Sequence, residues 1–404
     1  MSKGRTRPLP YGRQSIDESD ISAVAQVLAG DWLTTGPMVE AFETAFAEQV
    51  GAPHAVACSS GTAALHLALE ALWLVENDHV IVPAISFLAT ANAVRFMGAE
   101  VIFADVDAQT GLMAADHAEA ALKGSMGVHV KALLPVHLSG QCVEMASLED
   151  FAGLRGLSVV EDACHALGSV DASGGDRSPV GACRHSDMAT FSFHPVKAIT
   201  TGEGGMVTCR SGDVADRLRS MRNHGMSRDA RAFQNAALAF EGDAPNPWYY
   251  EMEEVGFNYR LSDIQCALGL SQLARLDDFV AKRRKLVARY EREIADLAPV
   301  VTPTARVAQC EPAWHLFGVL IDFDQAGVSR ADVMRALEDR GIGSQVHYIP
   351  LYQQPYYRQR YGRRKLPGAE SYYARCLSLP LFADMEEDDV ARVCSALKDI
   401  VAGG

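Results

Sequence analysis

The chain has 404 residues, 48% of them apolar, and a formal charge of -14, enough for a sizeable core in more than one domain and too acidic to attract a phosphate backbone. Nucleic acid is therefore excluded as a partner. Nine scattered cysteines with no C-x-x-C pair and no zinc spacing read as reduced thiols of a cytoplasmic protein without a metal site.

The basic start "MSKGRTRPLPYGRQS" is followed by no apolar segment, so it is not read as a secretory signal. From about residue 39 to 209, short β-rich runs alternate with helical patterns. The expected strands are "AVAC" (55–58), "HVIVP" (79–83), "EVIFADV" (100–106), "KALLPVHL" (131–138) and "LSVVEDA" (157–163). Between them lie the expected helices 62–72, 90–98 and 147–156. This alternation predicts an α/β fold with a mostly parallel central sheet covered by helices. The apolar run 80–94 is broken by Pro83, Ser86, Thr90 and Asn92 and is too short to span a membrane. Turn residues in 169–182 suggest a hairpin, and 228–247 has no periodicity and reads as a long loop. A helix-rich run covers 262–297, followed by a strand at 315–323 and helices at 329–341 and 385–401. The expected division is a large domain over 1–265, with an arm at 1–38, and a linking helix plus smaller C-terminal α+β domain over 266–404.

No G-x-G-x-x-G, P-loop or H-E-x-x-H motif is present, so chemistry must come from other stretches. In "CSSGTAALHLAL" (58–69) a strand gives way to a Ser-Ser-Gly turn and a helix start, a place for an anion such as a phosphate or for a plain Ser-capped helix. In "VVEDACHALGS" (159–169) Asp162 follows a β-branched run, where a buried carboxylate needs a partner such as a protonated pyridine nitrogen. His165 can bond a neighbouring oxygen; an N-cap aspartate with a core histidine is the alternative. In "FSFHPVKAITTGEGG" (191–205) Lys197 has apolar and hydroxyl neighbours, a setting that strips water from its amine and makes it a nucleophile. Ser192 can donate to a phosphate. Phe87 can stack on a flat ring or be an ordinary core aromatic. Together these residues suit pyridoxal 5'-phosphate, an electron sink held by a lysine imine with an acid at its ring nitrogen.

On these stretches, and on "DWLTTGP", "GFNYRLSDIQCALGLSQL" and "QVHYIPLY", the chain resembles, nearly end to end, the DegT-type sugar aminotransferases among the fold-type I pyridoxal phosphate enzymes. The resemblance implies that Lys197 forms the imine, Asp162 pairs with the pyridine nitrogen, His165 bonds the phenolate oxygen and Phe87 stacks on the ring. It implies a phosphate site of Gly61, Thr62, Ala63 and Ser192. Asn258 falls where family members reach into the neighbouring subunit, which implies a homodimer with shared active sites. Tyr11, Asp31, Trp32, Leu33, Thr34, Gln345, Val346, His347 and Tyr348 would line the sugar-nucleotide site, if not serve ordinary domain packing.

Within the family, the motifs look most like those of the transaminases of pseudaminic acid biosynthesis. These use L-glutamate to aminate the 4-keto carbon of a UDP-linked 6-deoxy-N-acetyl sugar, giving UDP-4-amino-4,6-dideoxy-N-acetyl-β-L-altrosamine. Amination of another UDP- or dTDP-linked keto-sugar, at the 3- or 4-position, is the near alternative. A non-catalytic nucleotide-sugar binder is a more distant one. Relatives with histidine in place of the lysine are dehydratases, and this chain keeps Lys197.

Overall fold

The computed structural model describes residues 8–125 and 127–402; the first seven residues of the expected N-terminal arm lie outside them. A seven-stranded sheet forms the centre. Its strands are β1 (His54–Cys58), β2 (His79–Pro83), β3 (Glu100–Ala104), β4 (Val130–Leu133), β5 (Ser158–Asp162), β6 (Met188–Ser192) and β7 (Gly205–Cys209). They lie in the order β1-β7-β6-β5-β4-β2-β3. β7 runs antiparallel to both neighbours, β1 and β6, and the other pairs are parallel. The helices Gly61–Ala71, Leu88–Phe96 and Met145–Gly153 follow β1, β2 and β4, the arrangement expected of strands buried on both faces.

Two further strands flank the stretch 191–205: β6 ends in Ser192, and β7 begins at Gly205. The strand expected over 131–138 stops at Leu133. Pro135 has no N–H to offer the ladder, and beyond it only Val136 bridges to Asp162. The hairpin expected in 169–182 is present as Val170–Asp171 paired with Ser178–Pro179, with Cys310–Glu311 as a third strand. The long loop expected over 228–247 contains a short helix, Ala236–Ala239, and a hairpin of Phe240–Glu241 with Ala244–Pro245. Gly242, at φ 62°, makes that turn. The run 262–297 is two helices, Asp263–Leu273 and Leu276–Ile294.

A separate three-stranded antiparallel sheet, β8 (Val301–Pro303), β9 (Phe317–Ile321) and β10 (Cys376–Leu379), carries the helices Arg330–Asp339 and Glu387–Ala402. The helix Leu276–Ile294 joins two cores. Leu276, Phe279 and Val280 pack with residues of the large sheet, and Leu286, Val287, Tyr290 and Ile294 pack with the small one. Between these two sets, buried Arg283 donates from Nη1 to the carbonyls of Trp314 (3.4 Å), His315 (3.3 Å) and Leu381 (3.0 Å). Burial lowers its pKa to about 10. Leu9 joins the small core, and the arm is held by Leu9 N–H to Gly341 O at 2.9 Å, Gly343 N–H to Leu9 O at 2.7 Å and Leu381 N–H to Tyr11 O at 3.0 Å.

Arg283→Met keeps most of the side-chain volume and removes these bonds. Leaving buried carbonyls unpaired is expected to lower unfolding free energy by about 3 kcal/mol, read from the urea midpoint. A change within about 0.5 kcal/mol, the range of neutral surface substitutions, would show that Arg283 does not tie the two cores together.

Candidate active site

The carboxyl ends of β1, β5 and β6 open on one cavity of about 570 Å³, a size suited to a small cofactor. It is lined by Gly61, Thr62, Phe87, Asp162, His165, Ser192 and Lys197, and also by Tyr11 and Gln345, Val346, His347 and Tyr348. A larger cleft of about 1140 Å³ lies beside β3 and the segment 359–366, and holds none of the candidate residues.

Glycines allow the strand ends to meet. Gly205, the first residue of β7, pairs with both Cys58 and Ser192, and a Cβ there would stand 2.3 Å from the carbonyl oxygen of Ser60. Its bare backbone lets the Ser60–Gly61 turn cross the start of β7. A Cβ on Gly61 would lie 2.7 Å from Ser192 Cβ and 3.0 Å from its hydroxyl, so glycine there lets the helix N-terminus abut Ser192. This is a cradle of first-turn N–H groups and a hydroxyl, the chemistry a phosphate requires. The Ser-capped helix is present as well: Ser60 Oγ accepts from Ala63 N–H at 3.1 Å. Ala63 is buried behind the cavity wall rather than lining it.

Asp162 closes β5 and is 5% exposed. Its Oδ2 accepts from Thr90 Oγ1 at 2.6 Å, and Ser86 Oγ lies 2.6 Å from that same Thr90 oxygen. Because Thr90 gives its proton to the carboxylate, Ser86 donates to Thr90. Oδ1 accepts from Cys164 N–H at 3.3 Å. A carboxylate has about four acceptor sites, so capacity remains for a ring N–H. Lys197 is partly buried, and among the described residues its amine has no hydrogen-bond or ion-pair partner. Burial lowers its pKa from the ordinary 10.5, outweighing the opposing pull of Cys164 and Asp162.

His165 is buried; its Nδ1 accepts from Ser139 N–H at 3.3 Å and its Nε2 lies 3.2 Å from Tyr348 Oη. Burial, with the Lys197 charge nearby, pushes its pKa well below 6.5. The ring is therefore neutral with its proton on Nε2, a donor facing the cavity. Phe87 is 55% exposed on the cavity rim, 6.0 Å from the Tyr348 ring, so it is not a core aromatic. The Tyr11 and His347 rings lie 5.6 Å apart, as the folded-back arm requires.

Two expected groups are not brought to the cavity by this chain. Asp31, Trp32, Leu33 and Thr34 are held near the helix Asp263–Leu273 by the Thr34–Ser262 bridge and the Asp263 N–H to Leu33 O bond of 3.0 Å, and Asp31 and Trp32 border a separate surface groove. Asn258 is exposed and bridges to Asn223, although its neighbour Tyr259 accepts from Ser59 N–H at 2.8 Å, close to the phosphate cradle.

Other residues at the site were not singled out from sequence. His194, Glu203 and His315 line the cavity. His315 is buried, its ring is 4.3 Å from that of His165, and its Nδ1 has no partner among the described residues. It precedes the strand Phe317–Ile321, and nothing in that apolar run marks it. Ser86 and Thr90, which in sequence mark only polar breaks in an apolar run, form a relay to Asp162; the four-residue spacing of two hydroxyls at a helix start is the signal for it.

The model of the DegT/DnrJ/EryC1/StrS aminotransferase family matches residues 14–398. The chain belongs to this family. It is 38% identical over 408 residues to the spore coat polysaccharide biosynthesis protein SpsC of Bacillus subtilis (strain 168), covering 100% of both chains. Among solved structures it is similar to Helicobacter pylori PseC, an aminotransferase involved in the biosynthesis of pseudoaminic acid. That match has 29% identity and a TM-score of 0.87, over 98% of this chain and 100% of that one. It is also similar to the PLP form of Spr1654 of Streptococcus pneumoniae, at 26% identity and a TM-score of 0.84, over 98% and 99% of the chains. The fold is that of the fold-type I aminotransferases, the chain is a sugar aminotransferase, and its cofactor is pyridoxal phosphate. Among the described residues no helix is long and apolar enough to cross a membrane.

The histidine cluster makes the fold acid-sensitive. His165 and His315 sit well below 6.5 and His347 near 3, chiefly through burial. The unfolded chain therefore binds protons that the folded one refuses, and stability falls as pH drops below 6.5 towards 3. The expected slope is about 1.4 kcal/mol per pH unit for each histidine, read from urea midpoints of the cofactor-free protein. His347→Asn should reduce the slope by one such increment; an unaltered slope would contradict the assignment.

Proposed function

We propose that this aminotransferase transfers the amino group of L-glutamate to the 4-keto carbon of a UDP-linked 6-deoxy-N-acetyl hexosulose, the amination step that leads towards pseudaminic acid. The observation that carries this reading is similarity to PseC along 98% of the chain, together with the arm and the segment 345–348 sharing one cavity with the cofactor residues.

Bound pyridoxal phosphate supplies a conjugated ring that takes up the electron pair left when a C–H bond next to nitrogen is broken. Lys197 would hold it covalently and, once released, carry a proton at Nζ; its lowered pKa keeps the neutral, proton-accepting form accessible. Asp162, fixed by Thr90, would hold the ring nitrogen's proton. His165 would donate from Nε2 to the ring oxygen, Phe87 would cover the ring face, and Gly61, Thr62 and Ser192 would bind the phosphate. Tyr11, Gln345, Val346, His347 and Tyr348 would surround the sugar.

The second subunit enters through charge. Lys197 is the one lysine or arginine lining the cavity among the described residues, yet the phosphate, the sugar nucleotide and glutamate are all anions. Further positive and polar groups would come from a homodimer partner. Asn258 and the exposed residues Trp32 and Leu33, with Asp31 and Thr34 beside them, would reach a neighbour's site as its polar and apolar lining; none of them is a cation.

Incubation with glutamate and either UDP- or dTDP-linked keto-sugars, followed by product mass and NMR, tests the substrate: a 4-amino UDP-sugar is expected, and a 3-amino product or a dTDP preference would overturn the assignment. Lys197→Ala should lose covalently held cofactor and at least about a thousandfold in turnover, and Asp162→Asn about a hundredfold or more. Near-normal turnover in either variant would contradict these roles. Lys197→Ala and Asn258→Ala subunits, each weak alone, should recover about a quarter of wild-type activity when mixed as dimers, since half of the random dimers carry one intact shared site. Failure to recover activity in verified mixed dimers would place Asn258 in its own subunit's site.

A further inference from the structure

Behind the His165 wall of the cavity, two cysteines far apart in sequence meet. Cys142 follows the Leu138–Gly140 turn, and Cys310 starts the short strand Cys310–Glu311. Their sulfurs lie 3.0 Å apart, and the Cys142 N–H donates to Cys310 Sγ at 2.9 Å. Cys142 is buried and Cys310 is partly exposed, so one thiol can meet a small oxidant while the other waits behind it. The contact also makes the two unequal: the bond from Cys142 lowers the pKa of Cys310, and the same contact with burial raises that of Cys142. Among the described residues all nine cysteines, this pair included, are free thiols.

We propose that Cys310 and Cys142 form a peroxide-responsive dithiol, with Cys310 as the attacking thiol and Cys142 as the resolving one. The Cys310 thiolate attacks one peroxide oxygen, the O–O bond breaks, and hydroxide leaves as water after taking a proton, giving a sulfenic acid. Cys142 sulfur then attacks Cys310 sulfur, the S–O bond breaks, and the second hydroxide leaves as water with the Cys142 proton. Two thiols lose two electrons in all, and one peroxide becomes two waters. A disulfide needs about 2.05 Å between sulfurs, so closure requires a movement of about 1 Å.

The bond would fasten the loop carrying Ser139 to the segment leading to His315. Ser139 bonds both histidines of the wall, its N–H to His165 Nδ1 at 3.3 Å and its carbonyl to His315 N–H at 2.9 Å. The thiol pair is independent of which sugar the enzyme aminates.

The test is treatment of the holoenzyme with stoichiometric hydrogen peroxide, followed by intact mass and non-reducing peptide mapping. A loss of about 2 Da, a linked peptide joining residues 142 and 310, and reversal by dithiothreitol are expected. Cys142→Ser should give no link and should leave a Cys310 sulfenic acid captured by dimedone; Cys310→Ser should give neither. Unchanged mass in folded wild-type protein, a link between other cysteines, or a dimedone adduct absent from Cys310 in Cys142→Ser would overturn the proposal.

Discussion

The rest of the site depends on an amine deprived of water. Lys197 sits at the cavity with no ion-pair partner among the described residues, and the carboxylate of Asp162 acts on it only through space. Two effects oppose each other. Loss of hydration disfavours the ammonium, whereas the nearby negative charge favours it, and burial wins. A direct salt bridge would have locked the proton on the lysine. Instead the carboxylate is engaged by Thr90 and the Cys164 N–H, leaving the amine free for chemistry and the acid oriented for a different partner.

The same economy governs the surrounding charges. His165, His315 and His347 crowd the cavity, and each is held neutral by burial, with the Lys197 charge adding to the effect. Neutral rings serve as directed hydrogen-bond donors and acceptors without competing for the anions that a transaminase must bind. The scaffold that places them is a sheet whose strand ends are brought together by missing side chains. Gly205 lets one turn cross the antiparallel strand, and Gly61 lets the helix behind that turn touch Ser192.

Much of this was legible in the residues. Asp162 after a β-branched run and Ser60–Gly61 after "AVAC" are local signals, because a parallel strand ends where its ligand-facing turn begins. Lys197 was legible through its apolar neighbours. The last glycine of "TTGEGG", Gly205, was visible but not interpretable: its cause is the close approach of Ser60 across the sheet, which depends on β7 lying between β1 and β6. His315 was hidden for a similar reason, since its meeting with His165 joins segments that come together through long-range contacts, among them the Ser139 bonds to both histidines and the Arg283 bond to the His315 carbonyl. Asn258 and the segment 31–34 differ again, because roles assigned by resemblance, in a neighbouring subunit for Asn258 and at the sugar-nucleotide site for 31–34, have no geometric signature within one chain.

The most direct measurement is the proton affinity of the Lys197 amine itself. Competitive acetylation of the cofactor-free protein with acetic anhydride across pH, quantified on the peptide containing residue 197, reports the fraction of neutral amine without any turnover. A half-point clearly below the ordinary 10.5, removed when the protein is unfolded, is the result that desolvation requires. A half-point at or above 10.5 in the folded protein would mean that Asp162 or Cys164 holds the proton in place, and that burial does not make this lysine a nucleophile.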